Sequence, residues 1–532
     1  MPRTLFVSLM LSSLLGFAMP AFAQDQAKDK EADTAHADGK SDAKKKEDPI
    51  PAEGKSETHH SVSVGGHSIN YTANAGTLLI RDDKNKPIAS VFYVAYTADS
   101  NKNDNNKNER NKNSAKRPVT FFYNGGPGSS SVWLHMGSLA PVRVTTESPQ
   151  ATSPAPFHLV DNADTLLDKS DLVFIDAIGA GFSRPVGEGK PKDFWGVDQD
   201  VQAFAKAITR YVTLNNCWGS PKFLFGESYG TPRSAALVYA LQKQGMSING
   251  VVLLSSILNY AVRAPGFDHV YAVYLPSYAA IAWYHDKLAH KPAELAPFLD
   301  EVRHFAIDEY LPALAQGHNL STAREDAIAQ KLSQYTGLSV AFIKEAKLRV
   351  NPSRFRKELL RGQGLTMGRY DARFEGVDID TAGENPEYDA SDTGMAGAMV
   401  GAFHDYLGSQ LKYTTELAYL PTNGEIGKAW DWHHKAPDSE RPLLMAYTAG
   451  DLGQAMRENP HLKVLSANGY FDLATPFFST EFDLAHMQLE PNLRQNLSFT
   501  YYPSGHMVYL NVDALKQFKI DLAKFYDSAV AP

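Results

Sequence analysis

"KFLFGESYGTPRSAALVYALQKQG", residues 222–245, decides how the rest of the chain is read. Its opening, Lys222-Phe223-Leu224-Phe225, is a short apolar run of the kind that forms a buried strand. Its second half places Pro232 in what reads as a first helical turn and ends at Gly245, the start and stop signals of a helix. Between the two lies Gly226-Glu227-Ser228-Tyr229-Gly230. A Gly-x-Ser-x-Gly turn between strand and helix presents a serine hydroxyl on strained backbone, and the glycines keep the neighbours clear. The helix N-terminus adds amide donors and the positive end of a dipole. Strand before and helix after make Ser228 a candidate nucleophile.

A serine nucleophile needs a base, and the base needs an orienting carboxylate. "KVLSANGYFDLATPFF" places Asp472 just beyond a late strand, and "FTYYPSGHMVY" places His506 in a loop after the last one. The order serine, acid, histidine is that of α/β-hydrolases. Acyl transfer also needs amide donors aimed at the developing oxyanion. Tyr229, directly after the serine, supplies one. The other comes from a loop after an earlier strand, and in "TFFYNGGPGSSSVWLHMGS" (120–138) Gly125-Gly126 follows such a strand.

Further buried-strand runs lie at 119–124, 171–177, 250–256, 462–469 and 497–504, with helical spacing at 197–214. Strands alternating with helices predict a mostly parallel sheet covered on both faces. Alternating stretches from Ser61 to Ala98 read as β-hairpins, followed by a polar loop at 99–116. Residues 260–440 are rich in Ala, Leu and Tyr at helical spacing and lack repeated strand runs, so they predict a helical cap inserted over the sheet's functional edge. The expected organisation is a secretory signal peptide at 1–23, ending in Ala21-Phe22-Ala23, and a disordered charged arm at 24–58. A core follows at 59–259, then the cap at 260–440, then the rest of the core at 441–532. The expected destination is outside the cytoplasm, either periplasmic or secreted.

Of 532 residues 43% are hydrophobic and 21% charged, enough for a large core. A net charge of -8 and a pI near 6.1 give no basic surplus for nucleic acid. No stretch after the leader is long and apolar enough to span a membrane. Cys217 is the only cysteine, so no intramolecular disulfide forms, and it reads as a buried thiol serving as a small hydrophobe. Gly179-Ala180-Gly181-Phe182-Ser183-Arg184 lacks the third glycine of a dinucleotide fingerprint, and the 120–138 stretch lacks a P-loop lysine. The adjacent pairs His59-His60 and His433-His434 point their side chains apart and read as surface histidines, so neither metal nor cofactor is expected.

Four blocks stand in one order: Asn124-Gly125-Gly126-Pro127-Gly128-x-Ser130-Ser131, Asp176-x-x-Gly179-x-Gly181-Phe182-Ser183, Gly226-Glu227-Ser228-Tyr229 and Gly505-His506-Met507-Val508. Together they resemble the serine carboxypeptidase family across roughly 120–510. The resemblance implies an α/β-hydrolase fold, a triad of Ser228, Asp472 and His506, and an oxyanion hole from the Gly126 and Tyr229 amides. It further implies that Asn124, Gly125 and Glu227 meet the C-terminal carboxylate of a peptide substrate. Glu227 facing a carboxylate requires a shared proton, which predicts cleavage favoured in acid. The sequence departs from the family at Phe122 (usually Trp), Ser129 (a disulfide cysteine) and Ser138, which stands where a second glutamate falls by counting. Ser138 is able to hydrogen-bond Glu227 but not to share a proton with it as a second carboxylate would. Rival readings are another α/β-hydrolase (an esterase, acyltransferase or proline-releasing aminopeptidase) and a non-catalytic binding protein on the same fold.

Overall fold

The computed structural model describes residues 50–99, 117–437 and 439–531. The signal peptide, most of the arm and nearly all of the polar loop at 99–116 lie outside the described residues. Nine strands in chain order build one sheet: β1 Lys55–Val64, β2 His67–Arg81, β3 Pro87–Ala98, β4 Val119–Tyr123, β5 Asp171–Ile175, β6 Lys222–Glu227, β7 Gly250–Leu254, β8 Lys463–Gly469 and β9 Leu497–Tyr502. Their spatial order is β1-β2-β3-β5-β4-β6-β7-β8-β9, and a two-residue strand at Arg184–Pro185 also pairs with β3. From β5 to β9 every neighbouring pair is parallel, whereas β1, β2, β3 and β5 pair antiparallel. This is an α/β-hydrolase sheet with the predicted hairpins at its leading edge.

Both faces are buried, as a parallel sheet requires. Along β4, Phe121 and Tyr123 pack into one layer with the helices Val197–Leu214 (α1), Gly230–Lys243 (α2) and Ala449–Glu458 (α3). Phe122 points into the other layer, under the helix Val512–Val530 (α4), where it stacks on Phe174 with ring centroids 4.7 Å apart. The alternation follows from the two-residue period of a strand.

The charged arm yields to the sheet earlier than its composition suggests. Lys55 to Thr58 pair with Gly76 to Ala73 of β2 and lie in β1 rather than in a disordered arm. Their order comes from backbone hydrogen bonds to a strand already in place, which side-chain composition does not report. Cys217 is half-buried rather than buried; burial pushes its thiol up, and it donates to the Asn215 carbonyl at 3.3 Å.

Between β7 and β8 the chain is mainly helical and carries its own core, which includes Tyr278, Leu299, Leu332 and Phe355. That core extends onto Phe471 and Leu473, the neighbours of Asp472. The segment is not purely helical: Leu365–Met367 and Glu375–Val377 pair as a short antiparallel ladder. The connection between these two strands reaches the candidate site.

Candidate active site

Ser228 caps β6 with φ of +59°, a left-handed value that a non-glycine residue holds only under strain. Its N–H donates to the Leu254 carbonyl at 3.0 Å, anchoring the turn to β7. The flanking glycines are required by close approach. A Cβ on Gly226 would overlap the Gly230 carbonyl, and one on Gly230 would come to 2.8 Å from the Tyr123 carbonyl. Helix α2 begins directly behind the serine.

Asp472 and His506 come together from the turns after β8 and β9. His506 Nδ1 lies 2.7 Å from Asp472 Oδ2. Asp472 Oδ1 accepts from the N–H groups of Ala474 at 2.7 Å and Thr475 at 3.0 Å. Thr475 was not foreseen from the sequence. Its hydroxyl is 2.7 Å from Asp472 Oδ2, 3.1 Å from His506 Nδ1 and 2.8 Å from the Ser255 carbonyl. Ser255 in turn donates its hydroxyl to the His506 carbonyl at 2.6 Å. Burial opposes a charge on the His506 ring, but the Asp472 carboxylate beside it, with help from Glu227, wins and moves the ring's pKa upward.

The loop after β4 lies against the serine turn. A Cβ on Gly125 would overlap the Tyr229 backbone nitrogen, so only glycine allows this approach. Gly126 has φ of +105°. Among the described residues neither the Gly126 nor the Tyr229 N–H donates to a protein acceptor. Two devices hold the loop. The buried Arg233 of α2 donates to the Asn124 carbonyl at 2.7 Å while pairing with Asp200 at 2.6 Å. Asp176 accepts from the Ser131 N–H at 2.8 Å and the Ser131 hydroxyl at 2.9 Å, and a Cβ on Gly181 would overlap its carboxylate. The last part of the helical segment closes over the same loop. Ser130 N–H donates to the Pro421 carbonyl at 2.9 Å, and Asn423 N–H to the Gly128 carbonyl at 2.8 Å.

Glu227 is buried beside Asn124, whose Nδ2 donates to Glu227 Oε1 at 2.9 Å. Asn124 Oδ1 accepts from the Leu134 N–H at 3.0 Å. Glu227 Oε2 and the Tyr509 hydroxyl lie close together, each without a well-formed hydrogen bond. Burial pushes the Glu227 carboxyl up to about 7, against the opposing pull of His506. Ser138 does not reach it. Its hydroxyl turns back onto the Leu134 carbonyl at the end of the helix Val132–Gly137, the same carbonyl that accepts from the Ser138 N–H at 3.1 Å. The side chain beside Glu227 Oε2 is Tyr509.

Ser228, His506, Glu227, Asn124, Gly125 and Gly126 all line one cleft of about 340 Å³. The helical segment adds Tyr260, Arg263, Arg369, Tyr370 and Trp432 to its lining. This arrangement brings a serine hydroxyl, an oriented imidazole and free backbone donors to one wall, the parts of acyl transfer. The histidine pairs lie elsewhere. His433 pairs with Asp431 at 2.6 Å. His434 is not a surface residue: it is buried with Nδ1 2.7 Å from Asp198 and Nε2 2.8 Å from Asp451.

No curated protein matches the chain. Among solved structures it is similar to proline iminopeptidase from Mycobacterium smegmatis, at 11% identity over 89% of this chain and 98% of that one, with a TM-score of 0.32. It is also similar to a soluble variant of monoglyceride lipase from Saccharomyces cerevisiae, at 11% identity over 86% and 97%, TM-score 0.34. A thermostable carboxyl esterase from Bacillus coagulans aligns at 10% identity over 86% and 98%, TM-score 0.32. The sequence comparison is more specific and supports a serine hydrolase: residues 79–291, the stretch that carries the Asn124–Gly128 loop and the Ser228 turn, match the serine carboxypeptidase family.

Proposed function

We propose that the protein is a serine carboxypeptidase that removes C-terminal residues from peptides through an acyl-enzyme. Ser228 Oγ attacks the scissile carbonyl while His506 Nε2 takes its proton. Asp472 holds the ring through Nδ1 and stabilises the imidazolium. The N–H groups of Gly126 and Tyr229 receive the oxyanion. His506 then gives its proton to the leaving nitrogen, the C–N bond breaks, and water repeats the sequence on the ester to restore Ser228. The residues 1–23, read from the sequence as a secretory signal, favour a site of action outside the cytoplasm.

The observation that carries the peptidase reading is the Asn124–Glu227 pair in the floor of the cleft. A carboxyl pushed to about 7 by burial keeps its proton in acid and so tolerates the α-carboxylate of a peptide. Asn124 and Gly125 offer it polar backbone and amide groups on the same floor. The test is labelling with a fluorophosphonate, followed by assay of blocked dipeptides and simple esters. Labelling at Ser228 with release of free amino acids is expected. Ester cleavage without peptide cleavage would favour an esterase. Ser228→Ala is expected to abolish labelling and turnover together, and turnover retained in that variant would reject the assignment.

A further inference from the structure

Two arginines of the helical segment enter the cleft from the side of Asp472 and His506. Arg369 stands in the connection between Leu365–Met367 and Glu375–Val377. Its carbonyl accepts from the Leu473 N–H at 3.1 Å, and the carbonyl of its neighbour Tyr370 accepts from the His506 N–H at 2.6 Å. Arg263 ends the short helix Ala261–Arg263, and its Nη2 donates to the Ala474 carbonyl at 2.8 Å. Both side chains thus belong to the surroundings of the turn at 472–474, both line the cleft, and both are reachable by solvent.

Neither guanidinium forms an ion pair among the described residues. Arg369 lies 5.3 Å from the Tyr370 ring and Arg263 lies 5.9 Å from the Tyr260 ring, contacts that hold a planar cation without neutralising it. The acids nearby are engaged or withheld. Asp389 accepts from the Arg369 N–H at 2.9 Å and from the Ser391 hydroxyl at 2.6 Å. Asp392 lines the cleft but pairs with neither arginine, and burial followed by Asp389 pushes its carboxyl up. Asp483, buried behind Arg263, accepts from the Leu258 N–H at 3.3 Å.

Two unpaired guanidiniums on one concave wall match what a carboxylate asks for, since arginine presents a fork of donors to both oxygens. The side of the cleft fixes which part of the substrate meets them. His506 delivers its proton to the leaving nitrogen, so the leaving residue lies on the His506 side. Its α-carboxylate is already assigned to the Asn124–Glu227 floor. We infer that Arg369 and Arg263 bind the side-chain carboxylate of the leaving residue, so that peptides ending in Glu or Asp are preferred. This rests on the carboxypeptidase reading above.

The experiment compares kcat/KM for blocked dipeptides that differ only in a terminal Glu or Gln. The wild type is expected to favour Glu by about tenfold, the worth of a well-placed charged hydrogen bond. In Arg369→Gln/Arg263→Gln the ratio is expected to fall toward one, chiefly through KM, and in the double Lys variant part of it should return. No preference in the wild type, or a preference that survives the Gln double variant, overturns the inference. If no dipeptide is cleaved at all, the carboxypeptidase reading fails, and the arginine site is then read separately by competition. Free L-glutamate is expected to slow fluorophosphonate labelling of Ser228 more than L-glutamine does, and the difference should vanish in the Gln double variant. Equal protection by the two amino acids, or a difference that survives that variant, refutes the site.

Discussion

Glu227 Oε1 lies 2.9 Å from Asn124 Nδ2, while Glu227 Oε2 has no hydrogen-bond partner among the described residues. A carboxyl held this way, and pushed up to about 7 by burial, is neutral in acid and charged in base. Below that value it can share a proton with a substrate carboxylate; above it the two negative charges repel. KM for blocked dipeptides is therefore expected to rise between about pH 5 and 8. In Glu227→Gln, which cannot ionise, KM should be nearly flat over that range. Affinity that is constant or improves with pH in the wild type would reject the shared proton. His506 acts on kcat in the opposite sense: its pKa is raised, and only the neutral ring serves as base, so kcat should climb on the acid side.

Thr475 touches Asp472 Oδ2, His506 Nδ1 and the Ser255 carbonyl with one hydroxyl. It lines the cleft, and its hydroxyl holds the acid and the base in register. Thr475→Val keeps the shape and removes the hydroxyl, and is expected to lower kcat by about tenfold with little change in KM, the loss of about one neutral hydrogen bond. Thr475→Ser should recover most of the rate. Steady-state kinetics on one substrate with both variants decides it.

Arg233 carries the connection between the serine helix and the opposing loop. It is 1% exposed, pairs with the buried Asp200 and donates to the Asn124 carbonyl. Arg233→Met strands a buried carboxylate and is expected to cost about 3–5 kcal/mol in urea unfolding. Adding Asp200→Leu should restore much of that stability, because no buried charge is then left alone. Activity should not return with it, since the Asn124 carbonyl still lacks its donor. A double variant as unstable as the single one would contradict this account.

The serine turn was legible because its signal is local. Strand, Gly-x-Ser-x-Gly and helix are consecutive, and residues 222–245 fold into β6, the turn and α2. Asp472 and His506 were legible from strand context, since each follows a strand whose apolar run stands out. Arg263, Arg369 and Thr475 were not, because nothing in their neighbourhoods signals chemistry until the chain folds Leu365–Val377 against the turns at 472 and 506. Ser138 shows the limit of counting along a chain. A helix end rotates its hydroxyl back onto Leu134, and Tyr509, far away in sequence, stands beside Glu227 instead.

His434 provides the last prediction, and it concerns stability rather than turnover. Its ring lies between the carboxylates of Asp198 and Asp451, at 2.7 Å and 2.8 Å. Burial alone would lower its pKa, but the two hydrogen-bonded carboxylates outweigh burial and raise it to about 9. The unfolded chain has the ordinary value of about 6.5. The folded state therefore binds a proton that the unfolded state has lost, throughout that interval. Linkage then requires the contribution of His434 to be complete below about pH 6.5 and to fade as pH rises toward 9. Glu227 and Asp483, both raised to about 7, shed stability in the same direction but mostly below that value. From about pH 7.5 to 9 those two carboxyls are already ionised, and the histidines with raised pKa, His434 and His506, carry the slope. In that window the wild-type thermal midpoint should fall with rising pH, and the slope should be clearly shallower in His434→Gln, which keeps only the His506 contribution. An equal slope in both proteins would mean that the proton sits elsewhere. The contact matters for the site because His434 ties the end of the helical segment to Asp198 in α1, and the same part of that segment supplies Trp432 to the cleft.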